Sequence, residues 1–216
     1  MEIIKPDEIK CIYEINETEM EAEIASCVST NPDLIIPRST YYKYKEYNII
    51  RINSRAFGSS TNIKSIQFSP DSKLQIIEGE AFKSSSIESI SLPPEVTHIR
   101  EEAFSECEQL RRVEIPTNSK LQQIGALAFN KTSIESIFVP SHVKKIGTGA
   151  FHGCEKLKRI EFSADSELQI IEKYAFLLSS IKIISIPSHL KIICEKTFSH
   201  SRIIQIEIPE NSELET

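Results

Sequence analysis

The 216-residue chain has no tryptophan, only six glycines, and no apolar run of the about 18 residues that a membrane-crossing helix needs. No helical membrane insertion is therefore expected. The glycines are dispersed, which excludes a glycine-rich loop that cradles phosphate. Positive charge is also short: the net charge is −6, without the basic footprint that nucleic acid or an anionic membrane requires. The opening "MEIIKPDEIKCIYEINETEMEAE" lacks a cationic start followed by an apolar stretch, so no secretory signal is visible. A soluble chain without its own export or anchoring device is expected. The five cysteines, Cys11, Cys27, Cys107, Cys154 and Cys194, are odd in number and scattered. That pattern excludes a compact disulfide framework and predicts mostly free thiols.

What is present is isoleucine and a repeat. The composition, 40% hydrophobic and 26% charged, is that of an ordinary folded chain, and its excess of isoleucine favours strands. Ala-Phe recurs with Phe57, Phe82, Phe104, Phe129, Phe151 and Phe176, and Phe198 follows with Thr before it. Successive spacings alternate between 25 and 22 residues. The same apolar frame returns between them, as in Ile63, Ile66, Phe68; Ile87, Ile90, Leu92; and Ile134, Ile137, Val139. A second pair three residues apart then precedes each Ala-Phe, for example Leu74 and Ile77 or Val143 and Ile146. Long returns ("FSPDSKL", "IPTNSKL", "FSADSEL") alternate with shorter ones ("LPPEV", "VPSHV", "IPSHL"), so the true period is 47 residues, a pair of unlike coils.

A coil of 22 to 25 residues cannot bury its apolar face alone, and stacking on its neighbours supplies the core. The Ile-x-Ile triplets alternate with period two, which predicts one short strand per coil in a parallel sheet, with coils about 4.8 Å apart. Proline after several triplets lacks an amide hydrogen and ends the ladder. The phenylalanines are expected to stack as an internal spine.

The pattern Leu-x-x-Ile-x-Ile-Pro-x-x-Val-x-x-Ile-x-x-x-Ala-Phe-x-x-Cys-x-x-Leu resembles the BspA-like leucine-rich repeats. "VPSHVKKIGTGAFHGCEKLKRIEF" (139–162) and "IPSHLKIICEKTF" (186–198) carry it best, within a match over about 34–214. The resemblance implies a repeat solenoid of leucine-rich repeat type. It also implies a surface antigen or adhesin of the kind found in mucosal bacteria and parasitic protists, binding a host matrix or cell-surface protein. An intracellular interaction scaffold is the alternative, and a catalytic or enzyme-inhibiting repeat protein is a third class. The family suggests the cell surface, and the missing signal suggests the cytoplasm.

Residues 1–32 are read as an N-terminal cap and 33–216 as the solenoid. "TEMEAEIASCV" predicts a short amphipathic helix: Thr18 and Glu21 fit a capping box, and Met20, Ile24, Cys27 and Val28 share a face. "DLIIP" (33–37) predicts a first, degenerate strand, followed by a tyrosine-rich return. The C-terminal "IEIPENSELET" copies the start of a long return with no cap after it. A frayed end, self-association through that end, and an abbreviated relative of longer chains are the alternatives.

Outward positions of the strands line up in columns. The first reads Lys64, Glu88, Arg111, Glu135, Lys158, Lys182, Ile204, with alternating sign over five coils. It is read as support for stack register and solubility, since alternation cancels any distant field. The other two columns place Phe138 and Ile183 as apolar exceptions among small polar residues, with Arg112 and Arg159 one period apart. Aromatic residues and arginine are common binding anchors, so Arg112, Phe138, Arg159 and Ile183 are the candidate partner-binding residues.

Catalytic chemistry is not predicted. Cys107 and Cys154 occupy one place in coils a full period apart, about 10 Å, too far for a disulfide and suited to packing. His142 and His189 are separated likewise and cannot share a metal, and no cofactor is predicted. "SSIK" (179–182) matches a Ser-x-x-Lys pattern inside the repeat, where serine is filler. Two glycosylation sequons start at Asn16 and Asn130, the latter in a loop expected to be accessible.

Overall fold

Isoleucine at alternate positions of each triplet leaves one β-branched side chain per strand pointing inward. In the computed structural model, which describes residues 9–215, Ile66, Ile90, Val113, Ile137, Ile160 and Ile184 all do so and are buried. The chain opens with β1 (Ile9–Asn16), β2 (Glu21–Ser29), β3 (Asp33–Ile36), β4 (Ser39–Tyr42) and β5 (Lys45–Ile52). Each later coil carries two strands: β6 (Ser65–Phe68) and β7 (Ile76–Ile77), β8 (Ser89–Ser91) and β9 (His98–Ile99), β10 (Arg112–Glu114) and β11 (Gln123–Ile124). The series continues with β12 (Ser136–Val139) and β13 (Lys145–Ile146), β14 (Arg159–Phe162) and β15 (Ile170–Ile171), β16 (Ile183–Ser185) and β17 (Ile192–Ile193), and ends at β18 (Gln205–Glu207). No helix occurs among the described residues.

The result is a parallel β-solenoid with two strand faces. One is a continuous sheet in the order β1-β2-β5-β7-β9-β11-β13-β15-β17, with β4 on β5. Its two-residue strands are additional to the one strand per coil expected. Each ends on the second isoleucine of the frame, such as Ile77 or Ile124, paired in register with the next coil. A pair of apolar residues three apart shows no alternation, so the triplet alone announces a strand.

The other face is built from the triplets and is not continuous. β3, β6, β8 and β10 form one sheet, β12 pairs only β14, and β16 pairs only β18. Three or four residues register between β8 and β10, β12 and β14, and β16 and β18. The alternate steps are weaker: β6 and β8 share two residue pairs, and no ladder joins β10 to β12 or β14 to β16. The open step always follows a coil with the long return. The 47-residue unit found in the sequence is therefore also the unit of pairing on this face.

The spine is present. Phe57, Phe82, Phe104, Phe129, Phe151, Phe176 and Phe198 stack with centroid separations of 4.8 to 5.6 Å and interplanar angles of 2° to 8°. A row of backbone hydrogen bonds runs beside it: the amide of Phe82 donates to the Ala103 carbonyl, Phe104 to Ala128, Phe129 to Ala150 and Phe151 to Ala175, all at 2.8 Å. Rings in offset stacks add about 0.5–1.5 kcal/mol per pair to their burial. Two turns hold each ring, and both use left-handed backbone. Arg55, Glu80, Glu102, Leu127, Gly149, Tyr174 and Lys196 precede a Phe by two residues. Ser59, Ser84, Glu106, Lys131, Gly153, Leu178 and His200 follow one by two. All fourteen have φ between 52° and 69°.

The third residue after each Phe is a small hydroxyl or thiol: Ser60, Ser85, Cys107, Thr132, Cys154, Ser179, Ser201. No coil lacks it, so the shorter loop omits a later residue. Cys107 Sγ donates to the Phe82 carbonyl (2.9 Å) and Cys154 Sγ to that of Phe129 (3.0 Å), with Ser85 and Thr132 hydroxyls beside them. Polar side chains thus satisfy carbonyls next to the buried spine, where an unmet acceptor is costly.

The N-terminal helix is not formed. Glu21–Ser29 is the strand β2, antiparallel to β1 and parallel to β5. Ala22 and Ile24 face the core two residues apart, and after an irregular step Cys27 and Ser29 do the same. Met20 lies in the turn with φ 57°, Val28 is exposed, and the Asn16 carboxamide oxygen accepts from the amides of Thr18 and Glu19. The alternation and the open edge of β5 outweigh the helical spacing, because backbone pairing covers the end of the long sheet. The helical expectation for residues 18–28 is corrected accordingly. Cys11 and Cys27 face each other across β1 and β2 and form a disulfide, while Cys107, Cys154 and Cys194 are free. "DLIIP" does supply a strand, β3, in register with β6. At the other end of the triplet face, Ile204, Ile206 and Ile208 on and beside β18 are exposed.

Candidate functional site

The triplet face carries the candidate residues because strands such as β10 and β14 alternate one buried β-branched residue with two outward positions. Arg112 and Glu114 flank Val113 on β10, and Arg159 and Glu161 flank Ile160 on β14. Each arginine pairs with the glutamate two residues on, Nε to Oε1, at 3.5 Å and 2.5 Å. The arginine side chains are still 74% and 72% exposed, so these pairs contribute at most about 1 kcal/mol each and leave both guanidiniums open to a partner. Phe138 on β12 is half-buried and registers with Glu161, whereas Ile183 on β16 is 48% exposed and registers with Gln205.

The four residues gather in pairs, each pair at an interruption of the sheet. Between β10 and β12 an open concavity of about 520 Å³ is lined by Arg112, Glu114, Phe138 and Glu161 among others. Between β14 and β16 another, of about 740 Å³, is lined by Arg159, Glu161 and Ile183 with Lys158, Lys182 and Pro187. A third, of about 410 Å³, lies beside the weak β6–β8 step, with Phe68, Ser91, Pro93 and Pro116 in its wall. All three fall at the same step of the 47-residue period, about 10 Å apart along the stack. Sequence columns name the residues that face outward, but not where neighbouring strands part. The concavities were therefore not foreseen, and neither were Lys158 and Lys182 as lining residues.

The first outward column behaves differently from its expectation. Lys64 and Glu88 form an ion pair at 3.7 Å, and no other adjacent pair in that column does so among the described residues. Ion pairs that tie coils together lie chiefly elsewhere. Arg51 bridges Glu23 (3.0 Å) and Glu78, Arg100 also reaches Glu78 (3.1 Å), and Lys145 pairs with Glu172 (2.8 Å), all along the continuous sheet.

Elsewhere, reactive groups are engaged or enclosed. Burial pushes the Cys107 and Cys154 thiols up to about 11, against the smaller opposing effect of their Ser85 and Thr132 hydrogen bonds. A protonated thiol in such surroundings is a poor nucleophile. His142 Nδ1 lies 3.0 Å from Glu167, and His189 Nδ1 lies 2.7 Å from Glu213, each across one coil step in the returns. Ser179 is buried and Lys182 exposed, so the two ends of "SSIK" do not meet. Asn130 is also buried, its Nδ2 donating to Ser105 Oγ at 3.1 Å, which corrects the expected accessibility of that sequon. Asn16 is exposed. No group of three or more histidine, cysteine or acidic side chains is placed to hold a metal among the described residues.

Comparison with known proteins agrees with this architecture. The BspA type leucine rich repeat region matches in six copies, over residues 40–158 and 122–215. A leucine-rich repeat protein from Bacteroides ovatus superposes with a TM-score of 0.66 at 23% identity, covering 98% of this chain and 60% of that one. The pneumococcal vaccine antigen PcpA superposes with a TM-score of 0.67 at 21% identity, covering 96% of this chain and 51% of that one. A Treponema pallidum leucine-rich repeat protein does so at 0.50 and 18% identity, covering 91% and 67%. The chain thus spans about half to two thirds of the length of these solved relatives. No curated protein matches. Repeats of this type form a scaffold for protein interaction that is generally not enzymatic. With its paired coils, phenylalanine spine and six matched copies, the chain belongs to the BspA-type leucine-rich repeat family.

Proposed function

We propose that the chain is a non-enzymatic binding module that grips a host or cell-surface protein with its triplet face, as a surface antigen or adhesin. The observation that carries this reading is the convergence of Arg112 with Phe138, and of Arg159 with Ile183, in two concavities of one face. Arginine and apolar side chains presented together in a recess are the chemistry of interface anchors. The Cys11–Cys27 disulfide supports an oxidising destination, and PcpA, a relative in fold, is a vaccine antigen. This reading keeps the division into a cap over 1–32 and a solenoid over 33–216, of which residues 1–8 and 216 lie outside the described residues. Self-association through the exposed Ile204, Ile206 and Ile208 is a separate proposal, tested by whether Ile206→Lys lowers the mass measured by light scattering.

The test is binding of immobilised protein to candidate cell-surface and matrix proteins, with Phe138→Ala/Arg159→Ala as the comparison. Loss of capture with an unchanged melting temperature supports the face, and unaltered affinity overturns it. Antibody staining of intact and permeabilised source cells tests the placement. Signal confined to permeabilised cells removes the adhesin reading and leaves an intracellular scaffold.

A further inference from the structure

The concavity between β14 and β16 differs in charge from its two counterparts. Beside β6 and β8 the lining holds one charged residue, Glu114. Between β10 and β12, Arg111 and Arg112 face three glutamates, Glu114, Glu135 and Glu161. Between β14 and β16 the balance inverts: Lys158, Arg159 and Lys182 face Glu161 alone, and Glu161 is already taken by Arg159. A chain of net charge −6 therefore gathers unopposed positive charge in the largest of these three concavities.

A second observation concerns the column itself. From Lys64 to Lys158 its signs alternate coil by coil, and at Lys182 the alternation fails. Lys158 and Lys182 hold equivalent places in successive coils, whose spine rings here are 5.4 Å apart. Both are exposed, and neither forms an ion pair among the described residues. Like charges at such spacing repel, and a stack built on alternation keeps them only at a cost unless a counter-charge arrives from outside. Beside them the lining mixes apolar Ile183 and Phe162, over the edges of buried Ile160 and Ile186, with Ser163 and Ser185.

We infer that this concavity is the site for an acidic peptide segment of the protein partner, with carboxylates meeting Lys158 and Lys182 and an apolar side chain settling over Ile183. The inference rests on the reading of the triplet face as a protein-binding surface and names the chemistry of its ligand. A peptide fits better than an anionic polysaccharide, because sulfate and hydroxyl groups would leave the exposed Ile183 uncovered. Attraction of this kind acts mainly on association and weakens with salt.

The test uses a dye-labelled synthetic peptide of four glutamates around one leucine, followed by fluorescence anisotropy on the full chain at low ionic strength. Saturable binding is expected, reduced about tenfold or more by Lys158→Glu/Lys182→Glu. Lys73→Glu, an exposed lysine in a distant return, should leave it within about twofold, and replacing the peptide's leucine by serine should weaken it. Absence of saturable binding overturns the inference, as does an equal loss with Lys73→Glu. Dextran sulfate binding in a Lys158- and Lys182-dependent way while the peptide stays inert also overturns it. If the peptide fails but Phe138→Ala/Arg159→Ala still abolishes partner capture, the acidic ligand is rejected and the face stands.

Discussion

Removing one ring from the middle of the spine should cost far more than removing the last one. Phe129 is fully buried, with Phe104 at 5.2 Å on one side and Phe151 at 5.4 Å on the other. Truncation of a buried phenylalanine to alanine costs about 3–5 kcal/mol through lost transfer energy and the cavity left behind. Two broken ring stacks place Phe129→Ala in the upper part of that range, at about 4 kcal/mol. Phe198 is only partly buried and has one ring neighbour, Phe176 at 5.6 Å. Phe198→Ala should cost about half as much, about 2 kcal/mol. Neither substitution touches the backbone row in which the Phe129 amide reaches the Ala150 carbonyl. Urea unfolding followed by circular dichroism measures both. In a solenoid held by nearest-neighbour contacts, damage at the centre should also divide the cooperative unit, lowering the m-value for Phe129→Ala but not for Phe198→Ala. Equal losses, or a loss below about 1.5 kcal/mol at Phe129, would refute the view that the rings are a continuous stack carrying the core.

Three further outcomes are expected. Leu178, at φ 61° and exposed, sits in a conformation costing a side chain about 1–2 kcal/mol. Leu178→Gly should therefore stabilise by about 0.5 kcal/mol after glycine's entropy, whereas Gly153→Ala at φ 69° should destabilise by about 1 kcal/mol. Thermal melts that fail to show opposite signs contradict the turn geometry. Ellman titration without reductant should find three thiols in denaturant, with Cys194 reacting first in the native protein and Cys107 and Cys154 only on unfolding. Five thiols would remove the Cys11–Cys27 bond. Partial burial lowers the pKa values of His98 and His152, with Arg100 adding to it at His98 and Lys131 at His152. The unfolded chain binds those protons more readily, so this stability is present above the unfolded value of about 6.5 and is lost as pH falls below it. Melting temperature followed down from pH 8 should flatten in His98→Gln/His152→Gln, and an unchanged slope would exclude these two residues as the source.

Much of the fold was legible because each coil restates the same demand. Seven phenylalanines at regular intervals and a buried β-branched residue in every triplet but the last leave little freedom in where the core lies. The N-terminal segment shows where such reading stops. Met20, Ile24, Cys27 and Val28 have helical spacing, but the segment also has a strand edge to cover at β5, and that long-range pairing is invisible in a local window. The small-residue column after each Phe is hard to see for a similar reason: Cys107 and Cys154 stand out as cysteines, while Ser85, Thr132 and Ser179 in the same place resemble the serine-rich filler around them. On the binding face, the sequence identified Arg112, Phe138, Arg159 and Ile183 as outward-facing. It gave no sign that the sheet parts between β10 and β12 or between β14 and β16, because hydrogen-bond ladders depend on how two coils rest on each other.

The paired steps of the triplet face bear on how such a chain can change length. A single coil added or removed would place two like steps together, disturb the spacing of the concavities and bring two outward charges of like sign side by side. A pair leaves each of these as it was and adds or subtracts one recess about 10 Å along the stack. Duplication or loss in units of 47 residues would therefore alter the number of binding positions while preserving their spacing, so that valency on this face grows in step with chain length.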